Sequence, residues 1–178
     1  VLPHRVLTFP LLCHGCGACT VACKQEAIHE VDRVTGEVEG AMAGPIRFFQ
    51  GRLHVGEAMS PPVIRAVLEQ APFDHTVVID APPGTSCPVI AAIRTADVVV
   101  LVTEPTPFGL NDLILAVGMV RALGIPFGVA VNRVGTGNHD VFEYCHREKI
   151  PILLEIPNDR RIAEAYSRGD LAITVFPE

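Results

Sequence analysis

Four cysteines, Cys13, Cys16, Cys19 and Cys23, fall within the short run CHGCGACTVAC. The C-x2-C-x2-C-x3-C spacing is that of bacterial iron–sulfur ligation, and thiolate is the soft ligand such a cluster takes. Gly15, Gly17 and Ala18 between the cysteines let the backbone wrap closely and leave amides free to point at sulfur. The expectation is a 4Fe-4S cluster held by Cys13, Cys16, Cys19 and Cys23. Structural zinc asks for two separated ligand pairs, and no later C-x2-C or H-x3-H supplies the second. Adjacent C-x2-C pairs are also poor disulfide candidates. Lys24 stands where a proline often follows the fourth cysteine, and in two-cluster proteins the fourth cysteine serves the other cluster. One cluster is expected, or two if further cysteines join Cys23 from elsewhere.

A second group of chemically capable residues follows the apolar runs. In VVIDAPPGTSCPV, Asp80 ends a strand-like run, where a carboxylate reaches a magnesium ion directly or through water. Gly84 and Thr85 bring free amides to a turn that Pro82 and Pro83 stiffen, the arrangement that lets backbone approach a terminal phosphate. A tight turn capped by Asp80 or Ser86 is the plainer reading of the same residues. Asn132 and Arg133 close another run, and Pro157, Asn158 and Asp159 a third. An amide satisfies donor and acceptor on a purine edge, which makes Asn132 a candidate base contact, although a loop asparagine tolerating an unusual backbone angle reads equally. Thr103 and Glu104 line a site or simply enter a helix. Cys145 reads as buried and inert, while Cys87, beside the turn, has no evident histidine partner to make it a nucleophile.

These residues need a scaffold, and the patterning supplies one. HTVVIDA, DVVVLVTEP, IPFGVAVNR and IPILLEIP are apolar on both faces and alternate with helix-length stretches from Pro88 to Thr95, Leu110 to Leu123, His139 to Lys149 and Asp159 to Arg168. Four parallel strands in an α/β fold with helices on both faces, a three-layer sandwich, are expected. Ligands of such sheets sit beyond the carboxyl ends of the strands, where the polar residues fall. Residues 1–57 read instead as a small glycine-punctuated cluster module, with β-like pieces around Pro45 to Val55 forming a hairpin. Ser60, Pro61 and Pro62 open the helix VIRAVLEQA at the head of a second domain, residues 58–178.

With 178 residues, 49% of them hydrophobic, and a net charge of −6, the chain lacks the basic surface of a nucleic-acid binder. DVVVLVT is too short for a membrane span and runs into Glu104 and Pro105, so a soluble, cytoplasmic protein is expected.

In order, CHGCGACTVAC, DAPPGTSCPVIAA, VVVLVTEPTPFGLNDL, VAVNR and EIPND resemble the MinD/ParA-type P-loop ATPases that carry an inserted ferredoxin domain, relatives of the Mrp and nitrogenase iron-protein group. The resemblance covers nearly the whole chain. It implies a P-loop NTPase-like sheet with a ferredoxin-like insert, and ATP and Mg2+ as cofactors. It places Asp80 on the magnesium side in a catalytic role, Gly84 and Thr85 at the γ-phosphate, Asn132 with Arg133 at adenine, and Pro157 to Asp159 beside the base. It also implies a dimer that sandwiches nucleotide. One departure matters: no G-x-x-x-x-G-K-[ST] loop occurs in the sequence. Without that cradle the chain should not hydrolyse ATP by itself. The opening residue, Val1, and the absent first strand suggest that an N-terminal portion precedes this chain. An exposed apolar sheet edge should then pair with that segment or with another chain.

The functional expectation is an ATP-responsive iron–sulfur protein in electron transfer or cluster handling, partnered by a redox or iron–sulfur acceptor protein. The alternatives are an electron-carrier or scaffold module without ATPase activity, and an amidating synthase of the cobyrinic acid a,c-diamide type. The last needs a glutaminase portion with its own nucleophilic cysteine, for which this length has no room.

Overall fold

The computed structural model describes residues 7–13, 15–72 and 74–175. The start of the expected cluster module and His14 in the cysteine run lie outside the described residues. The chain forms two compact units: one runs to Pro82 and takes in Ser86–Ala92, the other comprises Pro83–Thr85 and the chain from Ile93 onward.

In the first unit a 3-10 turn at Pro10–Leu12 precedes the cysteines, and α1 (Ala18–Ala22) begins after Gly17, whose φ of +71° turns the chain into it. Strands β1 (Gly36–Ala43) and β2 (Ile46–Leu53) make the expected hairpin, antiparallel from Gly36 opposite Leu53 to Ala43 opposite Ile46. Helix α2 (Pro61–Leu68) packs on the hairpin at Gly51, where a Cβ would come 2.9 Å from Val67 Cγ2. The absence of a side chain there is what lets Val63 and Val67 approach the sheet. The expected division at residue 57 falls between this hairpin and the helix packed on it. Ser60 occupies the N-cap position with prolines in the first turn, but its hydroxyl caps nothing. Helix α3 (Cys87–Ile93) follows.

HTVVIDA was expected as a strand, and here the sequence reading is corrected. Residues 75–81 join no ladder, and Val77 and Val78 are exposed. β-branched composition favours extended backbone, but a strand exists only when a neighbour takes its N–H and C=O groups.

The second unit alternates β3 (Val99–Thr103), α4 (Pro107–Leu123), β4 (Phe127–Val134), α5 (Asp140–Arg147), β5 (Ile152–Pro157), α6 (Arg160–Ser167) and α7 (Ala172–Val175). The three strands are parallel in the order β3-β4-β5. Helix α4 starts three residues earlier than expected because Pro107 is a first-turn proline behind the cap Thr106, whose Oγ1 accepts the Gly109 N–H at 3.0 Å. It ends at Gly124 with φ +70°. Leu113 and Val117 of α4 and Val141 and Tyr144 of α5 bury one face of the sheet against Val129 and Val131, both removed entirely from solvent. Each such valine contributes about 1.5–3 kcal/mol by the transfer scale. The sequence called for helices on both faces. Within this unit one helical layer packs on the sheet, and Val100 and Val102, alternating with the inward Leu101, remain 52% and 68% exposed. Among the described residues no helix is long and apolar enough to cross a membrane.

Candidate functional site

Beyond the carboxyl ends of β3 and β4 lies an open pocket of about 360 Å³, lined by Val102, Thr103, Glu104, Thr106, Phe108, Gly109, Asp112 and Asn132. Its walls are two loops, each fixed by short-range bonding. On the β3–α4 side, Thr103 is the one buried polar residue among the described residues, and its Oγ1 donates to the Gly109 carbonyl at 2.9 Å. The Thr106 N–H reaches back to the Glu104 carbonyl at 2.8 Å. A glycine is required at 109 because a Cβ there would collide with the Glu104 carbonyl. The loop between β3 and α4 is therefore tight and carries Glu104 and Phe108 to the rim.

On the β4–α5 side, Asn132 Oδ1 accepts the Arg133 N–H at 3.0 Å, and Arg133 sits in the left-handed region at φ +56°. Thr136 Oγ1 donates to the Arg133 carbonyl at 2.7 Å. The Arg133 guanidinium meets Glu104 at 3.3 Å, an exposed pair that joins the loops more by geometry than by energy. A third loop is tied in where the Asn158 N–H donates to the Val134 carbonyl at 2.9 Å.

Of the residues expected at a nucleotide site in this unit, Asn132 lines the pocket together with Thr103 and Glu104, and Arg133 touches it through Glu104. Pro157 and Asp159 do not line it. Asp159 instead caps α6 by accepting the Arg161 N–H at 2.8 Å. The Arg161 guanidinium hydrogen-bonds the same carboxylate, which with the backbone amide holds it below the usual carboxylate range. Gly84 is left-handed at φ +93° with open space where a Cβ would stand, and Thr85 is exposed. Asp80 is exposed at the end of the unpaired 75–81 segment. Sequence reasoning missed Thr106, Phe108 and Gly109, which it placed before a helix at Leu110, and Asp112, which it placed inside that helix. The Thr106-Pro107 pair was the available signal.

All six cysteines are free thiols. Cys145 is buried, which pushes its thiol pKa up and agrees with an inert role, whereas Cys87 is exposed. Of the N-terminal four, Cys13, Cys16 and Cys19 are exposed and Cys23 is half-buried. Gly15 N–H lies 3.5 Å from Cys13 Sγ and Ala27 N–H 3.4 Å from Cys23 Sγ, so backbone amides do point at sulfur. The donor chemistry fits an iron–sulfur cluster. The arrangement is not a closed ligand shell: among the described residues no group of three or more His, Cys, Asp or Glu side chains converges to hold a metal. The expectation of four gathered thiolates is corrected to that extent. Thiols do not attract one another, and it is the metal–sulfur bonds that draw such ligands together.

No protein-family model matches the chain. It is similar to the uncharacterized protein MJ0579 of Methanocaldococcus jannaschii, 29% identical over 161 residues that make up 89% of this chain and 55% of the relative. It is also similar to the uncharacterized ATP-binding protein MJ0169 of the same organism, 31% identical over 110 residues, 59% of this chain and 40% of the relative. The chain thus spans about half the length, or less, of these curated relatives. Among solved structures it is similar to the cell division ATPase MinD of Pyrococcus furiosus, with a TM-score of 0.55 and 24% identity, covering 66% of this chain and 52% of that one. That likeness shows a shared α/β fold.

Proposed function

We propose that the chain is the nucleotide-responsive, cluster-bearing part of a MinD/ParA-like protein, acting in electron transfer or iron–sulfur cluster handling. The observation that carries the nucleotide half is the pocket at the carboxyl edge of a parallel sheet, with Asn132 on its wall, on a fold shared with an ATPase. Asn132 contacts the base, with Pro157 and Asp159 on the neighbouring loop. Asp80 holds magnesium in the catalytic position, and Gly84 and Thr85 offer amides to the terminal phosphate. Because the sequence has no G-x-x-x-x-G-K-[ST] loop, hydrolysis belongs to an assembly in which another segment supplies that cradle.

Cys13, Cys16, Cys19 and Cys23 would hold a 4Fe-4S cluster, which supplies one-electron chemistry or transferable iron and sulfide when bound. The glycines at 15 and 17, at φ +59° and +71°, let the chain fold around such a group. The edge of β3 that pairs with no strand among the described residues, with Val100 and Val102 exposed on the same strand, favours a partner strand contributed by another segment or by a second copy in a nucleotide-bridged dimer.

The test is a thermal shift with ATP and Mg2+, on the chain and on its Asp80→Asn variant. Stabilisation that grows with ATP and weakens in the variant supports the reading. No shift with ATP across a full titration overturns it.

A further inference from the structure

We infer that Glu26 is a positioning residue for the cysteine run: its left-handed turn holds the Ala27 amide on the Cys23 sulfur, and that amide raises the potential at which a bound cluster takes an electron. This rests on the iron–sulfur reading above. Two successive amides turn back to Cys23. The Glu26 N–H donates to its carbonyl at 3.0 Å, and the Ala27 N–H donates to its Sγ at 3.4 Å.

The first bond anchors Glu26 against Cys23, and rotation about the Glu26 backbone then decides where the 26–27 peptide plane points. Glu26 stands at φ +51°, in the left-handed region. An extended φ would carry that plane, and the Ala27 N–H with it, onward and away from Cys23. A side chain with a Cβ gains nothing from the left-handed conformation. The Glu26 carboxylate is exposed and makes no hydrogen bond or ion pair among the described residues, so what the turn delivers is the amide beyond it. Of the four sulfurs, only Cys13 accepts another amide among the described residues, from Gly15 at 3.5 Å, and only Cys23 is half-buried.

The Cys23–Ala27 contact closes within the turn, so drawing the sulfurs together around a cluster leaves it intact. A donor facing a ligand sulfur stabilises the reduced cluster, which carries one more negative charge, more than the oxidised one, and the reduction potential rises. Half-burial keeps water from replacing that donor.

The experiment uses the full chain, loaded anaerobically with ferrous iron and sulfide, and reads its midpoint potential by titration with dithionite and mediators. Glu26→Asn and Glu26→Gly remove the carboxylate but accept the left-handed turn, whereas Glu26→Val removes the same charge and resists the turn. Ala27→Pro removes the N–H itself. Glu26→Asn and Glu26→Gly should share one potential. Measured against it, Glu26→Val and Ala27→Pro should shift the one-electron equilibrium about three- to tenfold toward the oxidised cluster, tenfold being about 59 mV. One common potential for all three Glu26 variants would assign any effect to the carboxylate and overturn the inference. Where Glu26→Val or Ala27→Pro takes up no iron, pulsed electron paramagnetic resonance of the reduced parent decides. With nitrogen-15 in its alanines, the parent should show a coupling to the cluster that is missing in Ala27→Gly, which keeps the amide and loses the label. Identical spectra overturn the inference alone. A parent chain that takes up no iron and sulfide overturns the iron–sulfur reading and this inference with it.

Discussion

Asn138 donates its backbone N–H to the carbonyl of Pro105 at 3.0 Å, which fastens the loop after β4 onto the loop after β3. Gly137, at φ +73°, makes the approach close enough that a Cβ there would run into the same carbonyl. Glycine is required twice over, by conformation and by space. Gly137→Ala should therefore destabilise the chain by about 1–3 kcal/mol and disorder the pocket wall. Urea unfolding read by circular dichroism measures it; an unchanged midpoint would show that the two loops are not docked in solution.

The thiols should fall into two kinetic classes. Cys13, Cys16, Cys19, Cys23 and Cys87 are exposed or half-buried, and Cys145 is buried between α5 and the sheet. A chromogenic disulfide reagent should titrate five thiols quickly and the sixth only on unfolding, with Cys145→Ala removing the slow one. Burial raises the Cys145 pKa in the folded state, so its contribution to stability is complete below the unfolded value of about 8.5 and is lost as pH rises through the folded one. Tyr144, also raised chiefly by burial, acts in the same direction at higher pH. Unfolding midpoints should fall on the alkaline side, less steeply in Cys145→Ala. A midpoint independent of pH from 8 to 10 would contradict the buried placement.

How much of this was legible in the residues depends on where their partners lie. The runs 97–105, 125–133 and 150–157 announced β3, β4 and β5 because their backbone groups pair with one another inside the chain. HTVVIDA has the same composition and no such neighbour, and composition does not record which strand a segment needs. The pocket was half visible: Asn132, Thr103 and Glu104 stand out as polar residues at strand ends, whereas Phe108 and Asp112 hid in a segment whose helical start turns on the Thr106-Pro107 cap. The left-handed turn at Arg133 left no sequence signal at all, since arginine has no preference for it.

Val102 tests the proposed strand partner. It is 68% exposed on β3, which among the described residues has a neighbour on one edge only, and parallel strands are ordinarily covered. A lysine there should leave the melting temperature within a few degrees of the parent, because the side chain already faces water. It should abolish self-association or capture of an added strand, measured by sedimentation velocity over a concentration series. Equal association of Val102→Lys and the parent chain would mean that this edge is not where a partner adds.

The cysteine module makes the last prediction, and it follows from the chemistry of four thiols that are free but not yet gathered. Metal–sulfur bonding would supply the free energy to order the segment from Cys13 to Cys23, so loading and folding of that segment should be coupled. Anaerobic incubation with ferrous iron and sulfide should produce a broad visible absorbance, with iron and sulfide in equal amounts, and should slow proteolysis between α1 and β1. Cys16→Ala should lose most of the bound iron while the second unit, which shares no cysteine with the run, melts unchanged. Zinc bound in place of iron under the same conditions would assign the four sulfurs to a tetrahedral structural site instead. Uptake of neither metal would leave Cys13, Cys16, Cys19 and Cys23 without the role proposed for them.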